Sequence, residues 1–143
     1  MAVKQISVFL ENRPGTLKAM TAVLAENKID MRALSLAETK DFGIARLIVD
    51  DVLDTATVLK EAGFVNSLTP VVAAEIPDEV GGLNTLLEIL SEADVNIEYM
   101  YAFLGAGSDH AYMIFRVEDE KKAEAALRAK GVKCISQEDI SAL

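Results

Sequence analysis

Residues 11–17 read Glu11-Asn12-Arg13-Pro14-Gly15-Thr16-Leu17 and separate two different apolar patterns. Before them the apolar residues alternate over positions 6–10, as in a strand, and after them they recur at helical spacing over positions 17–24. Pro14 suits the first turn of a helix because it has no N–H to leave unpaired, and Gly15 allows a sharp turn. The stretch therefore predicts a strand that turns into a helix whose first N–H groups are available to an anion such as a carboxylate.

The first half of the chain completes a recognisable order of elements. The patterns predict a strand over residues 3–10, a helix over 15–27, strands over 29–37 and 44–49, a helix beginning at Asp50 and Asp51 and ended by Gly63, and a strand over 65–68. This βαββαβ order within about seventy residues is the ferredoxin-like arrangement. A further strand over 71–76 follows after only Thr69 and Pro70.

The second half of the chain repeats the order of the first. Corresponding residues, at an offset of 66 or 68 positions, include Gly15 and Gly81, Leu17 and Leu83, and Gly63 and Gly131. The change of offset places a two-residue insertion in the hairpin at residues 105–109, where a duplicated unit tolerates one. We therefore expect an α+β protein made of two ferredoxin-like βαββαβ units in tandem, over residues 1–69 and 70–143, each with an antiparallel sheet.

Composition excludes several classes of function. The net charge of −9 argues against nucleic-acid binding, which depends on Lys and Arg. No apolar run is long enough to cross a membrane, and the N-terminal residues do not resemble a signal peptide. Because the single cysteine, Cys134, cannot form an internal disulfide, a cytoplasmic location is expected. The only histidine, His110, lies far from Cys134 in the sequence, so we expect no enzyme activity, no metal site and no cofactor.

The loop motif, the order of elements and the length of the unit resemble those of the ACT domain. The resemblance covers the whole chain as two copies without a catalytic domain. The first loop, over residues 11–17, matches the family's loop well. The second loop reads Pro77-Asp78-Glu79-Val80-Gly81-Gly82-Leu83 and keeps the glycine and the leucine, but it has Glu79 and Val80 in place of Arg13 and Pro14. The two loops therefore need not bind the same ligand.

The resemblance implies a regulatory module that binds an amino acid where two ACT domains pair. The ligand would lie between the loop that follows the first strand of one copy and the start of the second strand of a neighbouring copy. Carried over residue by residue, the implied ligand-binding residues are Asn12, Arg13, Pro14, Gly15 and Leu17 in the first loop, Asp78, Glu79, Val80, Gly81 and Leu83 in the second, and Asp30, Met31, Asn96 and Ile97 at the strand starts.

Several of these side chains have an alternative role. Asn12 is also a good helix N-cap, and Arg13 either forms a fork with a ligand carboxylate or is a solvated surface charge. Asp78 and Glu79 would repel a carboxylate, so they either hold an ammonium group or serve only the helix N-terminus, where acidic residues are favoured.

Two further features lie outside the loops. Tyr99, Tyr101 and Phe103 alternate along a predicted strand, and they either cover a ligand or belong to a core or subunit interface. Cys134 falls in a predicted strand and is expected to be a small buried apolar residue.

These observations favour a stand-alone amino-acid-binding regulatory protein of amino-acid metabolism. We expect a homodimer, because a ferredoxin-like unit leaves one sheet face to be covered. The alternative is a regulatory subunit that acts mainly by contact with a metabolic enzyme, as in the acetolactate synthase small subunits that the chain resembles in being ACT-based. Exposed sheet edges and an aromatic sheet face would serve such a contact.

Overall fold

The computed structural model describes residues 2–38, 41–104 and 110–143. Its elements, in chain order, are β1 (Val3–Glu11), α1 (Thr16–Glu26), β2 (Met31–Glu38), β3 (Phe42–Val49), α2 (Val52–Glu61), β4 (Asn66–Pro77), α3 (Gly82–Glu92), β5 (Ile97–Leu104), β6 (His110–Val117), α4 (Glu120–Ala129), β7 (Lys133–Cys134) and α5 (Gln137–Ser141). The βαββαβ order occurs twice with antiparallel strand pairs, so the predicted fold class is confirmed. The insertion that we placed at residues 105–109 lies outside the described residues.

β4 is longer than the sequence patterns predict. They divide it into two strands around Thr69 and Pro70, whereas one strand runs over Asn66–Pro77. This prediction was wrong because proline breaks a strand only where its missing N–H is needed, and its fixed φ is compatible with extended backbone. The carbonyl oxygen of Pro70 accepts a hydrogen bond from Nη1 of Arg116 at 2.9 Å.

The contacts within the chain define two units. The N-terminal unit comprises Lys4–Thr69 and Ile140–Ala142. Its strand order is β2-β3-β1-β4, with β3 antiparallel to both β1 and β2. The alternating apolar residues of the strands meet the apolar stripes of α1 and α2 in one buried cluster, as the periodicity predicts. The cluster consists of Ile6, Val8, Leu10, Met20, Leu24, Ala45, Leu47, Val49 and Leu59.

The C-terminal unit is formed mainly by Pro70–Asp139. Its strand order is β5-β6-β4-β7, in which the second part of β4 takes the place that β1 holds in the N-terminal unit. β7 has only two residues, which pair with Ala74 and Glu75 of β4. The core again joins sheet and helix residues, and it consists of Val72, Ala74, Ile76, Leu86, Leu90, Met113, Phe115, Val117, Ala123 and Leu127.

The helix ends follow the same local rules in both units. Gly63 and Gly131 have left-handed φ values of 90° and 80° just after α2 and α4, as predicted for Gly63. Lys28 and Asp94, with φ of 58° and 57°, hold equivalent places after α1 and α3. At the start of α2 the carboxylate of Asp51 accepts a hydrogen bond from an N–H of the first turn at 3.0 Å, so this acidic residue caps the helix.

Candidate functional site

The first loop, defined as residues 12–15, joins the end of β1 to the start of α1. Gly15 is the N-cap residue and is left-handed, with φ 89° and ψ −11°. A β-carbon built on Gly15 would meet nothing within 4 Å, so its φ alone, and not lack of space, requires glycine. Because α1 begins only at Thr16, Pro14 precedes the N-cap instead of occupying the first helical turn as the sequence suggested. The N–H groups of the first turn of α1 have no acceptor within the helix.

Asn12 and Leu17 lie on one side of the first loop. They line a hollow of about 270 Å³ together with Leu36 and Glu38. The side-chain amide of Asn12 donates a hydrogen bond to the carboxylate of Glu38 at 3.4 Å. The N-cap position of α1 is held by Gly15 and not by Asn12.

Arg13 is paired with the last residue of β1. Its side chain is 65% exposed, and its Nε donates to a carboxylate oxygen of Glu11 at 2.6 Å. An ion pair in solvent contributes little to stability, so a ligand carboxylate can compete with Glu11 for the guanidinium. The planar fork of arginine suits such a carboxylate.

A cleft lies on the other side of the first loop. This first cleft, of about 440 Å³, is bounded by the end of β1, by residues 13–15, by the start of α1 and by the turn at Gly63 and Phe64. Its lining includes the aromatic residues Phe9 and Phe64 and the charged residues Glu11 and Arg13. It combines apolar surface, a guanidinium and a helix N-terminus, which suits a small carboxylic acid with an apolar part.

The second loop, residues 78–81, repeats this geometry in the C-terminal unit. Gly81 is the left-handed N-cap of α3, with φ 86° and ψ −6°. Val80, which stands where the first loop has Pro14, is fully exposed, and Leu83 at the start of α3 is partly exposed. Within the described part of the chain no side chain caps α3, so neither Asp78 nor Glu79 acts as its cap.

A second cleft lies beside the second loop at the position equivalent to the first. It has about 390 Å³ and is bounded by the end of β4, the start of α3, the start of β6 and the turn before β7. Glu79 lines it, together with three residues that sequence reasoning missed, namely Glu75, His110 and Lys133. The carboxylate of Glu75 is 3.4 Å from Nδ1 of His110 and 3.6 Å from Nζ of Lys133.

The sequence does distinguish Glu75 from its counterpart in the first unit, but Glu75 lies outside the loop motif. At the repeat offset of 66, Glu75 corresponds to Phe9, and at the offset of 68, Lys133 corresponds to Val65. A comparison of the two units position by position would have shown charged residues in the second where the first has apolar ones.

The strand starts that the resemblance implied lie away from the loops of their own units. In the N-terminal unit Glu38 at the end of β2 pairs with Gly43, whereas Met31 at its start pairs with Val49. The eight residues of β2 span about 25 Å, so Asp30 and Met31 lie at the opposite end of the sheet from the first loop.

The C-terminal unit has the same arrangement. Ile97 at the start of β5 pairs with Val117, and Leu104 at its end pairs with Ala111. Asn96 lines a separate hollow of about 540 Å³ with Asp94 and Glu118. Neither unit therefore brings its own loop and its own strand start together.

The three alternating aromatic residues of β5 share one sheet face. Tyr99, Tyr101 and Phe103 are half-buried, and Phe103 stacks on Tyr112 of β6 with ring centroids 5.1 Å apart. This contact gives Phe103 a role in the packing of its own sheet.

The surroundings of Cys134 and the grouping of the acidic residues bear on nucleophilic and metal chemistry. Cys134 lies in a strand, β7, as predicted, but it is half-buried and not fully buried. Burial still raises the pKa of its thiol, which disfavours the nucleophilic thiolate. Across residues 2–38, 41–104 and 110–143 no three His, Cys, Asp or Glu side chains are grouped as a metal site would need. Nor does any helix in these ranges have the length and apolarity to cross a bilayer.

The chain consists of two tandem ferredoxin-like units. Each unit has a glycine-centred loop between its first strand and its first helix, and this arrangement defines a pair of ACT domains. The sequence model of a family described as an ACT domain pair matches residues 1–143, and the chain belongs to this family.

Solved structures agree with this assignment. Protein BT0572 from Bacteroides thetaiotaomicron is 38% identical to the chain, with a TM-score of 0.92 over 100% of this chain and 98% of that one. The regulatory subunit of aspartate kinase from Thermus thermophilus is 21% identical, with a TM-score of 0.66 over 92% of each chain. The Thermus flavus subunit is 19% identical, with a TM-score of 0.65 over 90% of each. These last two show likeness of fold, and no curated protein matches the chain.

Proposed function

We propose that this ACT domain pair is a regulatory protein that binds amino acids, and that it has no catalytic activity of its own. The observation that carries the proposal is the recurrence, in both units, of a cleft beside a left-handed glycine at a helix N-terminus. N–H groups without intrahelical acceptors and the helix dipole favour a carboxylate at such a place. Arg13 adds a cation in the first cleft.

A second ACT unit would complete each site. Within one unit the strand start lies at the far end of the sheet from the loop, so a ligand held by both must contact two units. We therefore propose that a ligand contacts Arg13, Pro14 and Gly15 in the first cleft and Glu79 in the second, and that Asp30 and Met31 or Asn96 and Ile97 of a neighbouring unit complete each site. A homodimer supplies such neighbours. We expect it in the cytoplasm, where a lone thiol stays reduced.

A second candidate function is control of a metabolic enzyme by direct contact, with ligand binding secondary. Exposed apolar side chains near the first loop favour it, among them Phe9, Leu36 and Phe42. Such residues are common in protein interfaces. The aspartate kinase regulatory subunits, which have this fold, are examples of proteins that work with an enzyme.

A thermal-shift screen of the protein against the standard amino acids separates the two candidates. A ligand present at about 100 times its Kd adds about 2.7 kcal/mol to the free energy of unfolding, which raises Tm by several degrees. We expect one or a few amino acids to do so. Substitution Gly15→Val, which disfavours the left-handed turn, should reduce the shift. Lys28→Val places the same residue at the left-handed turn after α1, outside the lining of both clefts, and serves as the control for general strain. If no amino acid raises Tm, contact with an enzyme becomes the better proposal.

A further inference from the structure

The two clefts have equivalent positions but different linings. Both lie between the end of a central strand, a loop and the start of a helix, and both are bounded by the turn that follows the unit's second helix. At the position where the first cleft has Phe9, whose side chain is partly exposed, the second has Glu75, and where the first has Arg13 the second has Glu79. Two lining positions of the cleft therefore change, one from apolar to acidic and one from cationic to acidic.

The charge balance of the linings differs accordingly. The first cleft carries one carboxylate and one guanidinium, Glu11 and Arg13, which already pair with each other. The second carries two carboxylates, one lysine and one histidine, so that with a neutral imidazole its formal charge is negative. The ammonium of Lys133 belongs to a side chain that is 67% exposed, so solvent screens much of its charge.

Glu75 has the features of a ligand-binding carboxylate. Its side chain is only 17% exposed, and its contacts with His110 and Lys133, at 3.4 and 3.6 Å, are longer than a strong charged hydrogen bond. An ionised carboxylate accepts several hydrogen bonds, so a cation that approaches closely gains a better contact than either of these two residues makes. Partial burial strengthens that contact relative to one in water.

We propose that the two clefts select amino acids of different polarity. The second cleft takes a cationic amino acid, whose side-chain charge pairs with Glu75 and Glu79 while its α-carboxylate faces Lys133 and the start of α3. The first cleft takes an amino acid with an apolar side chain, which packs on Phe9 while its carboxylate faces Arg13 and the start of α1. This inference rests on the proposed function, since it assigns ligand classes to the same loops.

Matched substitutions at equivalent positions test the selection. Glu75→Gln and Phe9→Gln place the same residue at the same point of each cleft, and neither introduces a large change of volume into a core. The probes are L-arginine and L-lysine for the second cleft and L-leucine and L-phenylalanine for the first, titrated by isothermal calorimetry into the full chain. Thermal unfolding of each variant establishes that it is folded before it is titrated.

The expected result is a crossed pattern. Glu75→Gln should lower the affinity for the basic probes by about tenfold or more, because a charge-assisted hydrogen bond is lost in the second cleft alone. The affinity for the apolar probes should stay within about twofold of the wild-type value. Phe9→Gln should do the reverse. Binding of the basic probes should also weaken as salt is added.

Every other outcome contradicts the inference, and the results show whether the proposed function fails with it. If wild-type protein binds amino acids but no basic one, or if both variants weaken the same probe, the assignment of ligand classes is wrong while the proposed function stands. The same conclusion follows if Glu75→Gln leaves the affinity for arginine and lysine unchanged. If wild-type protein binds no amino acid at all, the proposed function and this inference both fail.

Discussion

Arg32 on β2 donates a hydrogen bond from Nε to the carbonyl oxygen of Ile140, at 3.2 Å, although 108 positions separate the two residues. The guanidinium also donates to the carbonyl oxygen of Ser141 at 3.4 Å and pairs with the carboxylate of Asp30. In return, the hydroxyl of Ser141 donates to the carbonyl oxygen of Asp50 at 2.6 Å. The end of α5 is thus fixed to the start of β2, one of the places implied to contact a ligand.

The first prediction follows from this contact. Arg32→Lys should lower the free energy of unfolding by about 1–2 kcal/mol, because lysine cannot reach two carbonyl oxygens and a carboxylate with one rigid fork. The side chain is only 18% exposed, so water replaces the lost bonds poorly. Urea denaturation measures the change.

Arg128→Lys is the matched control for that measurement. Arg128 pairs with Glu124 one helical turn away at 3.5 Å, and its side chain is 62% exposed. Its replacement should change stability by less than about 0.5 kcal/mol. Equal losses in the two variants would mean that the contact of Arg32 with the end of α5 contributes nothing specific.

The second prediction concerns Lys28, which is left-handed with φ 58°. A side chain in this conformation costs about 1–2 kcal/mol, which glycine avoids. Lys28→Gly should therefore stabilise the protein by about 0.5–1 kcal/mol after the greater flexibility of the unfolded chain is subtracted. Lys18→Gly, the same change within α1, should instead destabilise it by about 1 kcal/mol. Chemical denaturation of both variants checks the opposite signs, and destabilisation by Lys28→Gly would contradict the argument.

The third prediction is that the thiol of Cys134 reacts slowly. Burial raises its pKa, an effect that the nearby Arg128 only partly offsets, so the fraction of thiolate at a given pH is smaller than in a free cysteine. At mildly alkaline pH a disulfide reagent should modify the folded protein more slowly than it modifies glutathione, and the rate should rise with pH above the usual range for a thiol. Unfolding in urea should restore the ordinary rate. A folded-state rate equal to that of glutathione would exclude a shielded thiol.

Much of the fold was predictable because the local signals agree with one another. The alternation before residue 11 and the helical spacing after residue 17 lie on either side of a glycine that is left-handed in the structure, and the same set recurs around Gly81. The features that were missed are short or non-local. α5 has five residues, too few for a periodic pattern, and its only buried residue is Ile140.

The candidate site was predictable only in part, for a related reason. Both loops are continuous stretches, so a motif identifies them. Glu75, His110 and Lys133 come from three different strands, and only the pairing of β4 with β6 and β7 brings them to one cleft. Arg32 likewise meets Ile140 and Ser141 through the fold and not through the sequence. Nothing in the spacing of these residues indicates such contacts.

The last prediction uses a difference between the two helix starts. At the start of α1 the side chain of Thr16 is accommodated, and its hydroxyl donates to the carbonyl oxygens of Glu11 and Arg13 at 2.8 and 3.0 Å. At the equivalent Gly82 a β-carbon would lie only 2.7 Å from the carbonyl oxygen of Pro77, which is closer than real contacts allow. The carbonyl oxygen of Pro77 therefore occupies the space that a side chain at position 82 would need, and Gly82→Ala must displace the backbone.

We expect Gly82→Ala to lower the free energy of unfolding by about 1–3 kcal/mol, the usual cost of overpacking, and to move backbone amide resonances of residues 77–83. It should also weaken the binding of any ligand in the second cleft and leave binding in the first cleft unchanged, because Gly82 lines only the second. Thr16→Ala is the control: it loses two exposed hydrogen bonds without a clash and should cost no more than about 1 kcal/mol. If the resonance changes in Gly82→Ala are spread equally over both loops, the substitution does not act locally on the second loop. If the free energy of unfolding is unchanged, the carbonyl of Pro77 can move away from the new β-carbon without destabilising the protein.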